Sequence, residues 1–210
     1  MPPSLPRIAS HLHPAAGRRA AWRKGQGGFK LLELAVTLTI MSVLASVGMS
    51  NWSGLTEKEA VKGHVSALLG GMRFARSEAI KKNAPVVICP RDLAAATING
   101  SYPCNTASGA GWENGWIIFV DQSIPPNYVY DSTDTLLKEE GKLTSSGGIT
   151  MRNGIVVSDR IVFRSSGILL AGASNIKFLP VSQNETRGSM VCISMQGRAR
   201  VLPIAPSCSS

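Results

Sequence analysis

Gly25-Gln26-Gly27-Gly28-Phe29-Lys30-Leu31-Leu32-Glu33-Leu34 is the stretch that decides how the 210-residue chain is read. Before it lie Arg7, Arg18, Arg19, Arg23 and Lys24, with no acidic residue. After it, from Leu34 to Leu55, there is no charged side chain. A helix over that run would extend about 33 Å, close to the thickness of a bilayer core. Trp52 falls where an interfacial aromatic belongs, and the arginine-rich flank places the N-terminus on the cytoplasmic side. A secretory signal peptide would have a shorter apolar core and a small-residue cleavage site after it. Here the run is long and its C-terminal side continues into further helical pattern. A plain signal anchor fits the hydropathy equally well, and only the junction upstream argues for a more specific reading than that. Glu33 is the acid inside this apolar segment. A carboxylate at mid-bilayer costs about 2.5–3.5 kcal/mol and less near an interface, so it demands a cationic partner.

The helix is expected to break briefly near Ser53-Gly54 and to restart at Thr56-Glu57-Lys58-Glu59, a capping-box pattern with Thr56 as N-cap. Val61, Val65, Leu68, Met72, Ala75 and Ala79 then recur in steps of three and four, which makes one apolar face. Lys58, Lys62, Arg73, Arg76 and Lys81 lie mainly off that face. Gly70-Gly71 weakens the helix by about 2 kcal/mol relative to alanines, and tight packing against a sheet would explain the pair. The helix should end near Asn83, before Pro85. Beyond it, short apolar runs at 86–89, 116–120, 155–157, 161–163, 176–179, 190–193 and 199–202 read as strands. Asn99-Gly100, Asn114-Gly115, Ser146-Gly147-Gly148 and Asn153-Gly154 read as turns between them. A helix followed by a meandering antiparallel sheet is an α+β arrangement.

The net charge of +9 is unevenly spread. Residues 29–140 carry nine basic and eleven acidic side chains, whereas 141–210 carry eight basic and two acidic, Asp159 and Glu185. The C-terminal part is therefore a candidate surface for an anionic partner. Four cysteines, Cys89, Cys104, Cys192 and Cys208, fall in two close pairs. They allow three connectivities. Pairing Cys89–Cys104 and Cys192–Cys208 would close two short loops, each contributing roughly 3 kcal/mol in the chain-entropy model. The spacing excludes a Cys-x-x-Cys zinc or redox motif. Only His64 remains as a histidine beyond residue 28, and no catalytic triad, phosphate-binding loop or dinucleotide fingerprint is present. The sequence therefore points to no catalytic residue, no metal and no cofactor.

The junction resembles a prepilin processing site: a glycine, an aromatic residue, and a glutamate four positions on, inside an apolar run. That resemblance implies cleavage between Gly28 and Phe29 by a membrane prepilin peptidase, N-methylation of Phe29, and a role for Glu33 in docking and register, with the freed Phe29 amine as its cation. Lys30 and Ser50 depart from the usual pattern, which has a small polar residue and a helix-kinking proline there. The likeness narrows to the FimT/GspH group of minor pilins and pseudopilins through Arg73-Phe74-Ala75-Arg76-Ser77-Glu78-Ala79-Ile80, Trp112-Glu113-Asn114-Gly115-Trp116 with Asp121, and Phe163-Arg164-Ser165-Ser166-Gly167. The implied fold is type IV pilin-like: a leader over 1–28, a transmembrane and filament-core helix over 29–55, its amphipathic half over 56–84, and a β-rich head over 85–210.

Gly197-Arg198-Ala199-Arg200 resembles a glycine–arginine–any–arginine motif of the FimT branch, associated there with DNA capture in natural transformation. On a strand over 198–202, Arg198 and Arg200 would share a face about 6.7 Å apart. Guanidinium groups pair with phosphate bidentately and without reading base identity. Arg187, Arg152, Arg160 and Arg164 would extend the field. The implied partners are other pilins, the peptidase, the inner membrane and DNA. A type II secretion pseudopilin is the first rival, and a membrane-anchored periplasmic enzyme or adhesin the second. Intact-mass spectrometry of the exported protein should find a chain starting at N-methylated Phe29. A functional protein that retains residues 1–28 would contradict the processing site.

Overall fold

The computed structural model describes residues 30–107, 111–153, 156–157, 160–171, 174–205 and 208, leaving aside the side chains of 47–51, 152–153 and 156–157. Gly28, Phe29 and the side chain of Arg152 lie outside the described residues. The architecture is α+β. A helix α1 (Leu31–Lys82) is followed by β1 (Val86–Pro90), β2 (Trp116–Val120), β3 (Thr135–Glu140), β4 (Ser146–Asn153), β5 (Val156–Val157), β6 (Ile161–Phe163), β7 (Ser174–Pro180), β8 (Ser189–Ile193) and β9 (Ala199–Leu202). Two antiparallel sheets form, in the orders β3-β2-β1-β6 and β5-β4-β7-β8-β9.

The chain divides into two compact units at Ala45/Ser46. In the first, Glu33 occupies the first turn of α1, where a carboxylate complements the positive end of the helix. Leu31, Leu34, Leu38, Met41 and Leu44 are exposed. The hydroxyls of Thr37, Thr39 and Ser42 donate to carbonyls three or four residues earlier, so these polar side chains add no unsatisfied group to the apolar surface. Among the described residues no helix is long and apolar enough to cross a membrane.

The second unit, from Ser46 on, holds the rest of α1 and all the strands. No break occurs at Ser53-Gly54. The Thr56 hydroxyl donates to the Trp52 and Ser53 carbonyls at 3.2 and 2.9 Å, and Glu59 pairs with Lys62 at 2.6 Å instead of capping. Restarting a helix costs a nucleation step, whereas propagation gains a backbone bond per residue, so the continuous form prevails over the capping-box pattern. The end of α1 follows expectation. Asn83 adopts φ +50°, the Asn83 N–H bonds to the Ile80 carbonyl and the Ala84 N–H to the Ala79 carbonyl. This is a Schellman termination with asparagine in place of glycine, and Pro85 prevents further helix.

Val61, Val65, Leu68, Met72, Ala75 and Ala79 are all buried and pack on Val86, Ile88, Trp116 and Ile118 of the first sheet and Ile149, Ile176 and Val191 of the second. Alternate residues of β1 and β2, namely Val87, Cys89, Ile117 and Phe119, face the other way into a smaller core with Cys104 and Tyr130. Burial on both faces explains why these two strands read as unbroken apolar runs. Asp121, at the end of β2, is buried and accepts the Ser123 and Tyr128 N–H groups, so it shapes the following loop. In that loop Asp131 accepts hydrogen bonds from Thr133, Asn127 and Ser123, which hold its carboxyl down at about 2.

Two strands lack the expected sequence signals. β3 is an edge strand whose Lys138, Glu139 and Glu140 interrupt any apolar alternation. β4 begins at Ser146-Gly147-Gly148, which the sequence suggests is a turn. The register instead shifts between Ser146 and Gly148, Gly148 adopts φ +135°, and a Cβ at Gly147 would overlap the Pro180 carbonyl. The glycines mark a bulge with close backbone approach.

The Gly70-Gly71 pair separates into two cases. A Cβ at Gly71 would stand 3.3 Å from Ile118 Cδ1 and 3.4 Å from Trp116 Nε1, whereas one at Gly70 meets nothing within 4 Å. Chemical denaturation should therefore find Gly71→Leu destabilised by about 1–3 kcal/mol through overpacking. Gly70→Ala should be stabilised by up to about 1 kcal/mol through helix propensity. Equal effects at the two positions would contradict this packing.

Candidate functional site

Two neighbouring hairpin turns, Arg164–Ile168 and Ser194–Arg198, have the same construction. In each, the first N–H bonds to the fifth carbonyl, at 2.9 and 2.8 Å, and the glycine N–H bonds back to the first carbonyl, at 2.7 and 2.8 Å. Gly167 and Gly197 both adopt φ +74°. This is the three-residue hairpin loop that places its last residue in the left-handed region. The Leu169 N–H donates to the Met195 carbonyl at 3.0 Å, which ties the turns together. A Cβ at Gly197 would also come 2.9 Å from Phe163 Cε1, so glycine is required there by conformation and by contact.

Arg76 reaches these turns from α1. A Cβ at Gly167 would lie 3.2 Å from Arg76 Nε, and one at Gly197 would lie 3.7 Å from Arg76 Nη1. Its guanidinium therefore stands beside both turns. Arg198 is the last residue of the second turn, and its carbonyl accepts the Ser194 N–H. The strand covers Ala199–Leu202, the apolar run the sequence indicates, and Arg198 lies just before it because it is committed to closing that turn. Arg200 lies within β9, opposite Cys192 of β8. Both arginines are exposed.

Arg73 and Arg76 of α1, with Gly197, Arg198 and Arg200, line a cleft of about 670 Å³. Cys192 and Cys208 border it, joined in a disulfide with Cα atoms 5.7 Å apart. The other disulfide, Cys89–Cys104, spans 5.5 Å between Cα atoms and staples the smaller core. No acidic side chain among the described residues lines the cleft, and none of its four arginines forms a salt bridge among them. Four like charges without counterions in a partly walled cleft concentrate positive potential and attract anions. Guanidinium forks suit phosphate or carboxylate in particular.

The other sequence candidates lie elsewhere. Arg187 Nη1 pairs with Glu57 at 3.0 Å, and Glu57 also accepts from Ser182 Oγ at 2.8 Å. The Ser182 bond, then the Arg187 bond, holds the Glu57 carboxyl below its ordinary value. Arg187 is thus engaged in joining the single 3-10 turn Glu185–Arg187 to α1, and it does not line the cleft. Arg160 donates to the Tyr128 carbonyl at 2.8 Å. Arg164 is exposed at the start of the first turn. Glu33 lies in the other compact unit. Trp112 and Trp116 are buried with ring centroids 6.4 Å apart, so both are packing residues. His64 is half-buried, and burial pushes its imidazole below the ordinary value. Sequence reasoning missed Arg73 and Arg76 as cleft residues. The available signal was the stripe Leu69, Met72, Arg73 and Arg76, which follows the i, i+3, i+4, i+7 spacing of one helix face.

A family model described as GspH, type II transport protein GspH, matches residues 64–197. Two crystal structures of the Pseudomonas aeruginosa type IV minor pilin FimU are similar in fold. One is 16% identical with a TM-score of 0.50, covering 71% of this chain and 92% of FimU. The other is 15% identical with a TM-score of 0.46, covering 68% and 92%. No curated protein sequence matches the chain. Denaturation of Gly197→Ala should show a loss of about 1–2 kcal/mol from the left-handed backbone. Unchanged stability would contradict the turn geometry.

Proposed function

From the premise that this chain belongs to the GspH family and has the type IV pilin fold, we propose that it is a minor pilin of the FimT branch whose arginine cleft holds DNA through its phosphates. Members of this family are structural subunits that assemble with other pilins in a pilus or pseudopilus, and the chain is not an enzyme. The observation that carries the DNA reading is the cleft itself: four arginines from two separate elements, with no acid lining it and no salt bridge to any of them among the described residues.

In this reading the leader is removed between Gly28 and Phe29 by prepilin peptidase, Phe29 is methylated, and the apolar helix anchors the subunit in the inner membrane before assembly. The exposed Leu31, Leu34, Leu38, Met41 and Leu44 support this, because only lipid or neighbouring apolar helices would cover such a surface in water. Glu33, four residues beyond Phe29 in sequence, would pair with the freed amine of its own or a neighbouring subunit. Natural transformation is the process in which phosphate capture at an exposed head would be used.

A second reading, a pseudopilin of type II secretion, is favoured by the description of the matching family. Deleting the gene and measuring transformation, twitching and protein secretion in parallel separates the two: loss of transformation supports the first, and loss of secretion alone supports the second. At the molecular level, Arg198→Gln with Arg200→Gln should weaken duplex DNA binding and flatten its salt dependence by about two in log–log slope. Unchanged affinity would remove the DNA reading.

A further inference from the structure

A second concavity, about 400 Å³, adjoins the arginine cleft and shares Leu69 and Arg73 with it. Its α1 wall includes Lys62, Ser66 and Gly70, and Val201 of β9 stands on the other side. Together the two concavities form one groove between α1 and β9, the edge strand of its sheet. Its basic groups, Lys62, Arg73 and Arg76, lie along a single stripe of the helix, and Arg198 and Arg200 complete its far end. No acidic or aromatic side chain among the described residues lines either part. Lys62 is held by Glu59 on its own helix, as an exposed pair that a phosphate can displace.

Gly70 supplies an independent observation. It sits in the helix interior, where glycine is unfavourable, yet a Cβ there would meet nothing within 4 Å. Gly71, in contrast, is explained by its approach to Ile118 and Trp116. The structural effect of Gly70 is to leave the wall of the groove open midway between Lys62 and Arg76.

We propose that this groove is a track for one phosphodiester backbone, running from Arg198 and Arg200 past Arg73 and over Gly70 to Lys62. The proposal rests on the reading of the arginine cleft as a nucleic-acid site and extends it to the length and shape of the bound segment. Lys62 to Arg76 spans about 21 Å of helix. That accommodates on the order of four nucleotides, the low end for single-strand binding folds. Without aromatic side chains there is no stacking platform, so affinity comes from phosphate contacts and is indifferent to base sequence. The same backbone chemistry is offered by a free single strand and by one edge of a duplex.

The test uses the full chain in neutral detergent and fluorescence anisotropy with labelled oligothymidylates of increasing length and with a duplex of mixed sequence. Gly70→Leu should fold with an unchanged or raised Tm and bind about tenfold more weakly, because it obstructs the groove without altering charge. Arg73→Gln should bind several-fold more weakly, with the salt slope reduced by about one. Gly70→Ala should bind like the parent chain. Affinity should rise with oligothymidylate length and level off near the groove's span. Tighter binding of oligothymidylate identifies a free strand as the ligand, and equal or tighter binding of the duplex identifies one of its edges. If Arg198→Gln with Arg200→Gln abolishes binding while Gly70→Leu and Arg73→Gln bind normally, the track is overturned and the cleft stands. If no variant alters binding, both fall.

Discussion

The packing of α1 against the two sheets is the contact on which the rest of the head depends. Leu68, Ala75 and Ala79 are fully buried in it, and Gly71 lets the helix approach Ile118 and Trp116 closely. Small residues on this face bring the polar side of the same helix next to β8 and β9. The seam that forms the core therefore also fixes how far Arg73 and Arg76 stand from Arg198 and Arg200. A change in helix depth would alter the width of the arginine cleft before it touched any arginine.

The second constraint is the pair of glycine turns. Gly167 and Gly197 adopt the same left-handed conformation, Leu169 bonds across to Met195, and Arg76 lies beside both. Arg76 thus contributes charge to the cleft and stands against the turn that ends in Arg198. The Cys192–Cys208 bridge fastens the C-terminal segment beside Arg200, on the partner strand of β9. Sequence features that look like separate signatures, the helix end, the first glycine turn and the second, meet at one place. Arg187, in contrast, is neutralised by Glu57 and serves to attach a turn to the helix.

Much of this is legible in the sequence because burial imposes periodicity. The stripe from Val61 to Ala79 repeats at helical spacing, and β1 and β2 are continuous apolar runs because both their faces are covered. β3 is hidden because Lys138, Glu139 and Glu140, which an edge strand tolerates, break its apolar alternation. β4 is hidden because glycines that permit a bulge resemble glycines that make a turn. Thr56 and Glu59 fit a cap as well as they fit a helix interior, and only the continuity of the backbone bonds decides between them. Arg198 and Arg200 stand out as a compact motif. Arg73 and Arg76 do not, because an arginine on the polar side of a helix looks solvated until the strand facing it is known.

The claim that the cleft arginines act together on a phosphodiester backbone is tested most directly by NMR of the arginine Nε–H signals of the full chain during titration with an oligonucleotide. The account predicts that Arg73, Arg198 and Arg200 shift along a common saturation curve, while Arg187 and Arg160, already engaged within the protein, stay in place. Shifts at Arg187 and Arg160 with none at the cleft would contradict it.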